Sequence, residues 1–237
     1  MTSAQPSRYP GGELELFAAA AHWKSYIAAQ IRPYLGPEVL EVGAGIGATT
    51  RLLCTPEQTN WLALEPDPSL ASEAVAAFTR EPLAAPWKVV AGTLESIDAG
   101  MRFSSVLYVD VLEHINDDRA ELRRAAERLR PGGYLVVLAP AHQWLYSPFD
   151  RAIGHCRRYS ASILRKAAPP ELTPVRMRYL DAVGLLASSG NRFLVRQAMP
   201  TRTHIAAWDR VMVPLSRLVD PLLGFTVGKS VLAIWRR

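Results

Sequence analysis

Cysteine is nearly absent from this sequence. Cys54 and Cys156 are the only two in 237 residues. They lie too far apart for a metal or redox spacing, so a disulfide framework is excluded and reduced thiols in a cytosolic protein are expected. Long apolar runs are missing too: no stretch reaches the roughly 18–20 uninterrupted residues that cross a bilayer. The opening MTSAQPSRYPGGELELF lacks the basic-then-apolar pattern of a secretory signal. The expected localisation is therefore cytoplasmic, with peripheral membrane contact the membrane option left open. The last part of the chain lacks acid. Residues 151–237 hold 4 Asp/Glu against 15 Lys/Arg, whereas residues 1–150 hold 18 against 12. Such a split suggests two jobs, the basic part suiting an anionic substrate, a membrane surface or nucleic acid. Solvated surface charge is the plain alternative.

Hydrophobic residues make up 49% of the chain, which excludes a disordered polymer. The length suits one α/β domain, residues 1–237, with additions. Residues 13–35 have helical spacing (Leu16, Ala20, Trp23, Ile27, Ile31) and form an N-terminal helical cap over residues 1–35, ended by Gly36-Pro37. Strands are expected in EVLEV, WLALEPD at 61–67, WKVVAG at 87–92, SSVLYVDVLEHI and YLVVLAPA. Between them PSLASEAVAAFTREP and residues 117–130 read as helices, the latter stopped by Pro131-Gly132-Gly133. This alternation implies a Rossmann-like, mostly parallel seven-stranded sheet with helices on both faces, and a cofactor-binding core over residues 36–170. Ligands of such sheets bind beyond the carboxyl ends of the strands.

At the first strand end stands Glu41-Val42-Gly43-Ala44-Gly45-Ile46-Gly47. The dinucleotide turn is G-x-G-x-x-G and cradles a pyrophosphate; here the spacing is G-x-G-x-G, and Ala48 holds the third glycine position of the dinucleotide form. Glu41 would repel phosphate and suits an ammonium or sulfonium. Glu65, 18 residues after Gly47, can accept from both hydroxyls of a ribose, with Pro66 beside it. The third strand leads to Thr93 and Leu94, where an adenine edge could be read, and the fourth to Asp110 in DVLEHI.

In order and spacing, residues 36–140 resemble the class I S-adenosylmethionine methyltransferases of the small-molecule type, which include the ubiquinone-biosynthesis O-methyltransferases. The resemblance implies S-adenosylmethionine as cofactor, with S-adenosylhomocysteine the product. By resemblance Gly43, Gly45 and Gly47 flank the methionine part with Glu41 nearby, Glu65 holds the ribose, Thr93 and Leu94 the adenine, and Asp110 lies beside the sulfonium. One departure is Thr93, where the family usually carries Asp. The resemblance also implies that the segment around His155 closes over cofactor and acceptor, which makes Tyr146, Asp150, Arg157, Arg158 and Tyr159 substrate-site candidates.

Methyl transfer needs alignment of nucleophile, methyl and leaving sulfur, and a general base when the acceptor is a hydroxyl or protonated amine. His114, His142 and His155 follow the fourth strand, the fifth and the segment after it, and are the candidate bases. Paired arginines suit a carboxylate or phosphate. No N-P-P-Y or Pro-Cys run points to nucleobase chemistry. Asn116, Asp117 and Asp118 precede a helix and read as caps, so no metal site is assigned. Residues 171–180 and 225–235 are expected as the sixth and seventh strands, with a helical insertion at 180–224 between them. Its apolar face is Ile205, Trp208, Val211 or Met212, Leu215 and Leu218. A substrate lid, a homodimer contact and a membrane-facing element all remain open for it; nothing accompanies the arginines that points to nucleic acid. The reading is a methyltransferase acting on an O or N atom of a small acceptor, anionic or lipid-linked. A non-catalytic S-adenosylmethionine-binding protein and a nicotinamide-dependent oxidoreductase are the alternatives.

Overall fold

The computed structural model describes residues 18–190 and 201–237. The first helical turns expected before residue 18, and residues 191–200 of the insertion, lie outside the described residues. The chain runs α1 (Ala21–Ile31), β1 (Glu38–Val42), α2 (Ala48–Leu53), β2 (Asn60–Glu65), α3 (Pro68–Arg80), β3 (Trp87–Ala91), β4 (Phe103–Val109) and α4 (Asp118–Glu127). It continues through β5 (Leu129–Pro140), α5 (Pro148–Ala152), α6 (Ala161–Ala167), β6 (Thr173–Leu180), α7 (Ala182–Gly190), α8 (Arg202–Ala207), α9 (Val213–Leu222) and β7 (Ser230–Arg236). One seven-stranded sheet results, ordered β3-β2-β1-β4-β5-β7-β6. All neighbours pair in parallel except β7, which runs antiparallel between β5 and β6.

The central strands are near-continuous apolar runs because helices cover both faces. Leu40, Val106 and Leu135 face one core, with Leu122, Ala125 and Leu164. Val39, Leu107 and Val136 face the other, with Ile27, Ile31 and Val213. Every one of these side chains is at most 3% exposed.

Three local expectations need correction. The helix predicted over 117–130 ends at Glu127, because Leu129 already pairs with Phe103 and β5 carries Pro131-Gly132-Gly133 across a register shift. The seventh strand starts at Ser230 rather than at residue 225. The single apolar face predicted for the insertion is split by a π-helical turn at Trp208–Met212. Ile205 and Trp208 point inward, joined by Val213 five residues on, while Val211, Leu215 and Leu218 are exposed. A π turn holds one more residue than an α turn and so shifts the phase of all that follows.

Candidate active site

The site grows from the carboxyl ends of β1, β2, β4 and β5. After β1 the chain turns through Gly43, Gly45 and Gly47 at φ 73°, 56° and 80°, a region that favours glycine. A Cβ on Gly43 would stand 2.5 Å from Val111, and one on Gly47 2.3 Å from Phe78. These two glycines are therefore required by packing as well as by the turn. The main chain of the turn folds back on β2: Gly43 N–H and Ala44 N–H donate to Leu64 O, and Gly45 N–H donates to Glu65 Oε2 at 2.7 Å. Asp67 N–H donates to the other Glu65 oxygen at 2.9 Å. Each Glu65 oxygen thus holds one main-chain proton and keeps a lone pair, which fits the paired hydroxyls of a ribose. Burial raises the Glu65 pKa, opposed by these N–H donors.

Glu41 behaves differently from its expected role. It is 2% exposed, and its Oε2 accepts from Thr50 Oγ1 at 2.5 Å and Trp61 Nε1 at 2.9 Å. Burial pushes its pKa to about 7 against the pull of those two hydrogen bonds. It ties α2 to β2 through these two donors, and its burial leaves little of it open to an incoming ammonium. Thr93 is exposed and caps the turn at Leu94–Ser96, its N–H bound by Ser96 Oγ at 3.0 Å. Leu94 is 1% exposed and packs in the core, so only its main chain is left to meet a ligand. Pro66 is exposed beside Glu65. Asp110 takes φ 55° at the end of β4, an αL conformation that Asp tolerates. It is exposed to solvent yet ringed by protein, which lifts its pKa to about 6 against the charges of His155, Lys229 and Arg158.

The segment from Tyr146 to Tyr159 folds under the ends of β4 and β5. Tyr159 is buried, pairs with Ala141 in a parallel bridge, and donates its hydroxyl to Asp118 at 2.9 Å and Leu112 O at 3.1 Å. Asp150 is buried between Ser147, His155 Nδ1 at 3.0 Å and the Arg158 guanidinium at 2.8 Å. Burial opposes its ionisation, but the His155 hydrogen bond and the Arg158 charge hold its pKa down at about 2. Arg157 turns away to Asp118 at 2.9 Å and Asn116 O at 2.8 Å. The two arginines expected to grip an acceptor together therefore diverge onto internal partners. Tyr146 donates its hydroxyl to His155 O at 2.7 Å. Asp150 and Tyr159 are fully buried, whereas Tyr146, Arg157 and Arg158 remain partly exposed.

Two of the three candidate histidines meet in this region. His155 and His114 meet edge to face at a centroid distance of 4.6 Å. Burial first, then the neighbouring His155, drops the His114 pKa to about 4. His142, at φ 65°, stacks on Tyr179 at 5.2 Å, lies near Trp144, and sets Nε2 3.0 Å from Gly228 O.

Two residues were missed by sequence reasoning. Glu113 is fully buried, and neither carboxylate oxygen has a hydrogen-bond partner. His155 Nε2 lies 3.8 Å away, and burial raises the Glu113 pKa well above the usual range. Glu113, His114 and His155 each offer a ligand atom within 4.8 Å of the others. Lys229 arrives from the far end of the chain because β7 is antiparallel, so its start lies beside the end of β5. It sits over the Trp208 ring at 4.7 Å, and burial lowers its pKa despite Asp181 and Asp110 nearby. No sequence signal marks Lys229; Glu113 stands in the Leu112-Glu113-His114-Ile115 run beside the candidate base His114.

Comparison with known proteins agrees with this arrangement. The methyltransferase-domain family matches residues 14–169. The ubiquinone biosynthesis O-methyltransferase of Rhodopseudomonas palustris (strain HaA2) is 33% identical over 110 residues, 46% of this chain and 42% of that protein. The demethylmenaquinone methyltransferase of Tropheryma whipplei (strain Twist) is 30% identical over 138 residues, 57% and 55% of the two chains. The alignments thus span about half the length of these relatives. In fold, the chain is similar to the N-methyltransferase NodS of Bradyrhizobium japonicum WM9 in complex with S-adenosyl-L-homocysteine. That likeness has a TM-score of 0.58 and 15% identity, over 98% of this chain and 94% of the other. The chain belongs to the methyltransferase-domain family, within the class I, S-adenosylmethionine-dependent methyltransferases.

Proposed function

We propose that this chain moves a methyl group from S-adenosylmethionine to an oxygen or nitrogen of a small acceptor, anionic or lipid-linked. The observation that carries the reading is Glu65, whose two oxygens are each held by one main-chain N–H beside the glycine turn. Gly43 to Gly47, Glu65, Pro66, the main chain at Thr93 and Leu94, and Asp110 would hold the cofactor, which supplies an electrophilic methyl when bound. The G-x-G-x-G spacing, with Ala48 at the third glycine position of the dinucleotide turn, speaks against the oxidoreductase alternative.

The remaining work falls to the chain's own side chains. His142 satisfies Gly228 O with an Nε2–H, which leaves the Nδ1 lone pair to take a proton from the acceptor. Burial lowers its pKa, so the ring is neutral and ready near pH 7. Lys229 places positive charge at the same strand ends and suits an acceptor anion. A second reading is favoured by the orphaned Glu113 carboxylate: with His114 and His155 it would hold a divalent cation, a 2-His-1-carboxylate set. No helix among the described residues is long and apolar enough to cross a membrane.

Calorimetric titration with S-adenosylmethionine, S-adenosylhomocysteine and NADH tests the cofactor, and a labelled-methyl screen of phenolic and amine acceptors tests the transfer. Binding of the first two and not NADH is expected. His142→Gln should lower kcat roughly 10²–10⁴-fold, the range for a lost general base, while leaving cofactor affinity intact. Binding without transfer across the screen would instead favour the non-catalytic alternative. Loss of rate in chelator, restored by a divalent cation, would favour the metal reading.

A further inference from the structure

The π turn and α9 present two apolar faces. At about 100° per residue, Val211, Leu215, Leu218 and Leu222 fall within an arc of roughly 60° that runs for about 16 Å. Their exposures are 57%, 46%, 69% and 85%. On the opposite side Val213, Ser216 and Asp220 are buried, so the core is already served by the inner face. A row of leucines in water at this density marks an interaction surface.

Charge says what covers it. From residue 181 to the end the sequence holds three acids, Asp181, Asp209 and Asp220, and all three are buried. Asp209 caps the start of α1 through Trp23 N–H, Asp220 accepts from Tyr26, and Asp181 from Trp208. Arg202, Arg210 and Arg217 are exposed. The leucine face therefore has a cationic rim with no exposed acid on its own helices. A second copy docked on this face would set like charges against each other. A negatively charged lipid surface supplies both the apolar layer and the counter-charge.

We infer that α9 and the π turn lie on the surface of an anionic bilayer, the leucines in the acyl boundary and the arginines among the headgroup phosphates. This goes beyond the proposed reaction, and vesicle binding is read without any methyl transfer, so the two can fail separately.

Flotation of the full chain with phosphatidylcholine vesicles, with and without phosphatidylglycerol, tests it. Binding to the phosphatidylglycerol vesicles is expected, weakening as salt screens the surface. Leu218→Glu with Leu222→Glu should lower that binding at least tenfold, and Arg210→Gln with Arg217→Gln by about tenfold at low salt. Unchanged thermal melts and cofactor titrations in both variants would show that the fold is intact. Failure of the wild type to float with phosphatidylglycerol vesicles, or wild-type binding by the Leu218→Glu, Leu222→Glu variant, overturns the inference. So does a dimer in light scattering that the glutamates dissociate while vesicles bind neither form; that result would give the face to a second copy.

Discussion

The two halves of the strand-end surface hold buried carboxylates in opposite ways. Beside β1 and β2, Glu41 accepts from a hydroxyl and an indole and Glu65 from two main-chain N–H groups, every donor neutral. Beside β4 and β5, Asp150 meets a histidine and an arginine, while Glu113 meets no hydrogen-bond donor. Burial raises the Glu41 pKa to about 7, whereas the His155 hydrogen bond and the Arg158 charge override burial at Asp150 and hold it at about 2. The first half is a geometric cradle whose partners carry no charge to rearrange. The second concentrates His114, His155, Glu113 and Asp110, groups able to exchange protons or hold a cation. Under the proposed function the neutral half would serve cofactor binding, and the charged half would add Asp110 to it beside the groups that could move a proton.

Asp150→Ala tests the charged half most severely. It leaves the Arg158 guanidinium without its main counter-ion in a nearly closed site, and losing one partner of a buried pair costs about 3–5 kcal/mol. For a domain of this size that is a fall in Tm of roughly 10 °C, readable by scanning calorimetry. A loss below about 1 kcal/mol would erase the contrast with the neutral half.

The opposite pKa shifts predict opposite pH dependence. Asp150, with a depressed pKa, stabilises the fold above its unfolded value near 4, and that contribution fades as pH falls towards 2. Glu41 has a raised pKa, so the folded chain keeps a proton that the unfolded chain releases between about 4.5 and 7. Its contribution is fully present below 4.5 and is lost as pH rises through 7, by about 3 kcal/mol in all. Glu41→Gln should remove that slope. Urea unfolding at pH 5 and pH 8 reads it as a variant-minus-wild-type difference that grows towards pH 8. A constant difference would mean that Glu41 is ionised in the fold.

Within the neutral half, Glu65→Ala should weaken S-adenosylmethionine binding by roughly 1.5–3 kcal/mol, the scale of hydrogen bonds to a charged group. Titration calorimetry on the folded variant measures it. Unchanged affinity would remove the ribose assignment and, with it, the contrast between a binding half and a reacting half.

The parallel strands and the glycine turn were legible because local pattern and global fold agree there: apolar runs bounded by turns, with an acid at the ends of β1, β2 and β4. What stayed illegible depends on distant partners. The π turn arises where successive residues both face inward, Trp208 bonding Asp181 and Asp209 bonding the start of α1, and neither partner is near in sequence. Lys229 reaches the site only because β7 inserts antiparallel between β5 and β6. Helix α4 stops early because β4 captures Leu129 ahead of the proline and glycines. Glu113 was hidden for another reason: an acid followed by histidine reads as a pair of solvated side chains until burial is known.

Arg157 and Arg158 show how adjacency misleads. Neighbours in a non-helical stretch point to opposite sides of the chain, so a pair that looks like one grip becomes two separate ties. Arg158, 11% exposed, holds Asp150; Arg157, 31% exposed, holds Asp118. The smallest expected effect follows from that placement. Arg157→Ala should cost only about 0.5–1 kcal/mol in stability, as for a partly exposed ion pair, and should leave cofactor affinity and the KM of any acceptor unchanged. Steady-state kinetics on an acceptor found in the screen would check this. A tenfold rise in acceptor KM, with unfolding free energy unaltered, would mean that the Arg157 guanidinium leaves Asp118 when the acceptor binds. The segment would then be a moving clamp that joins the reacting half only in the complex, rather than its fixed floor.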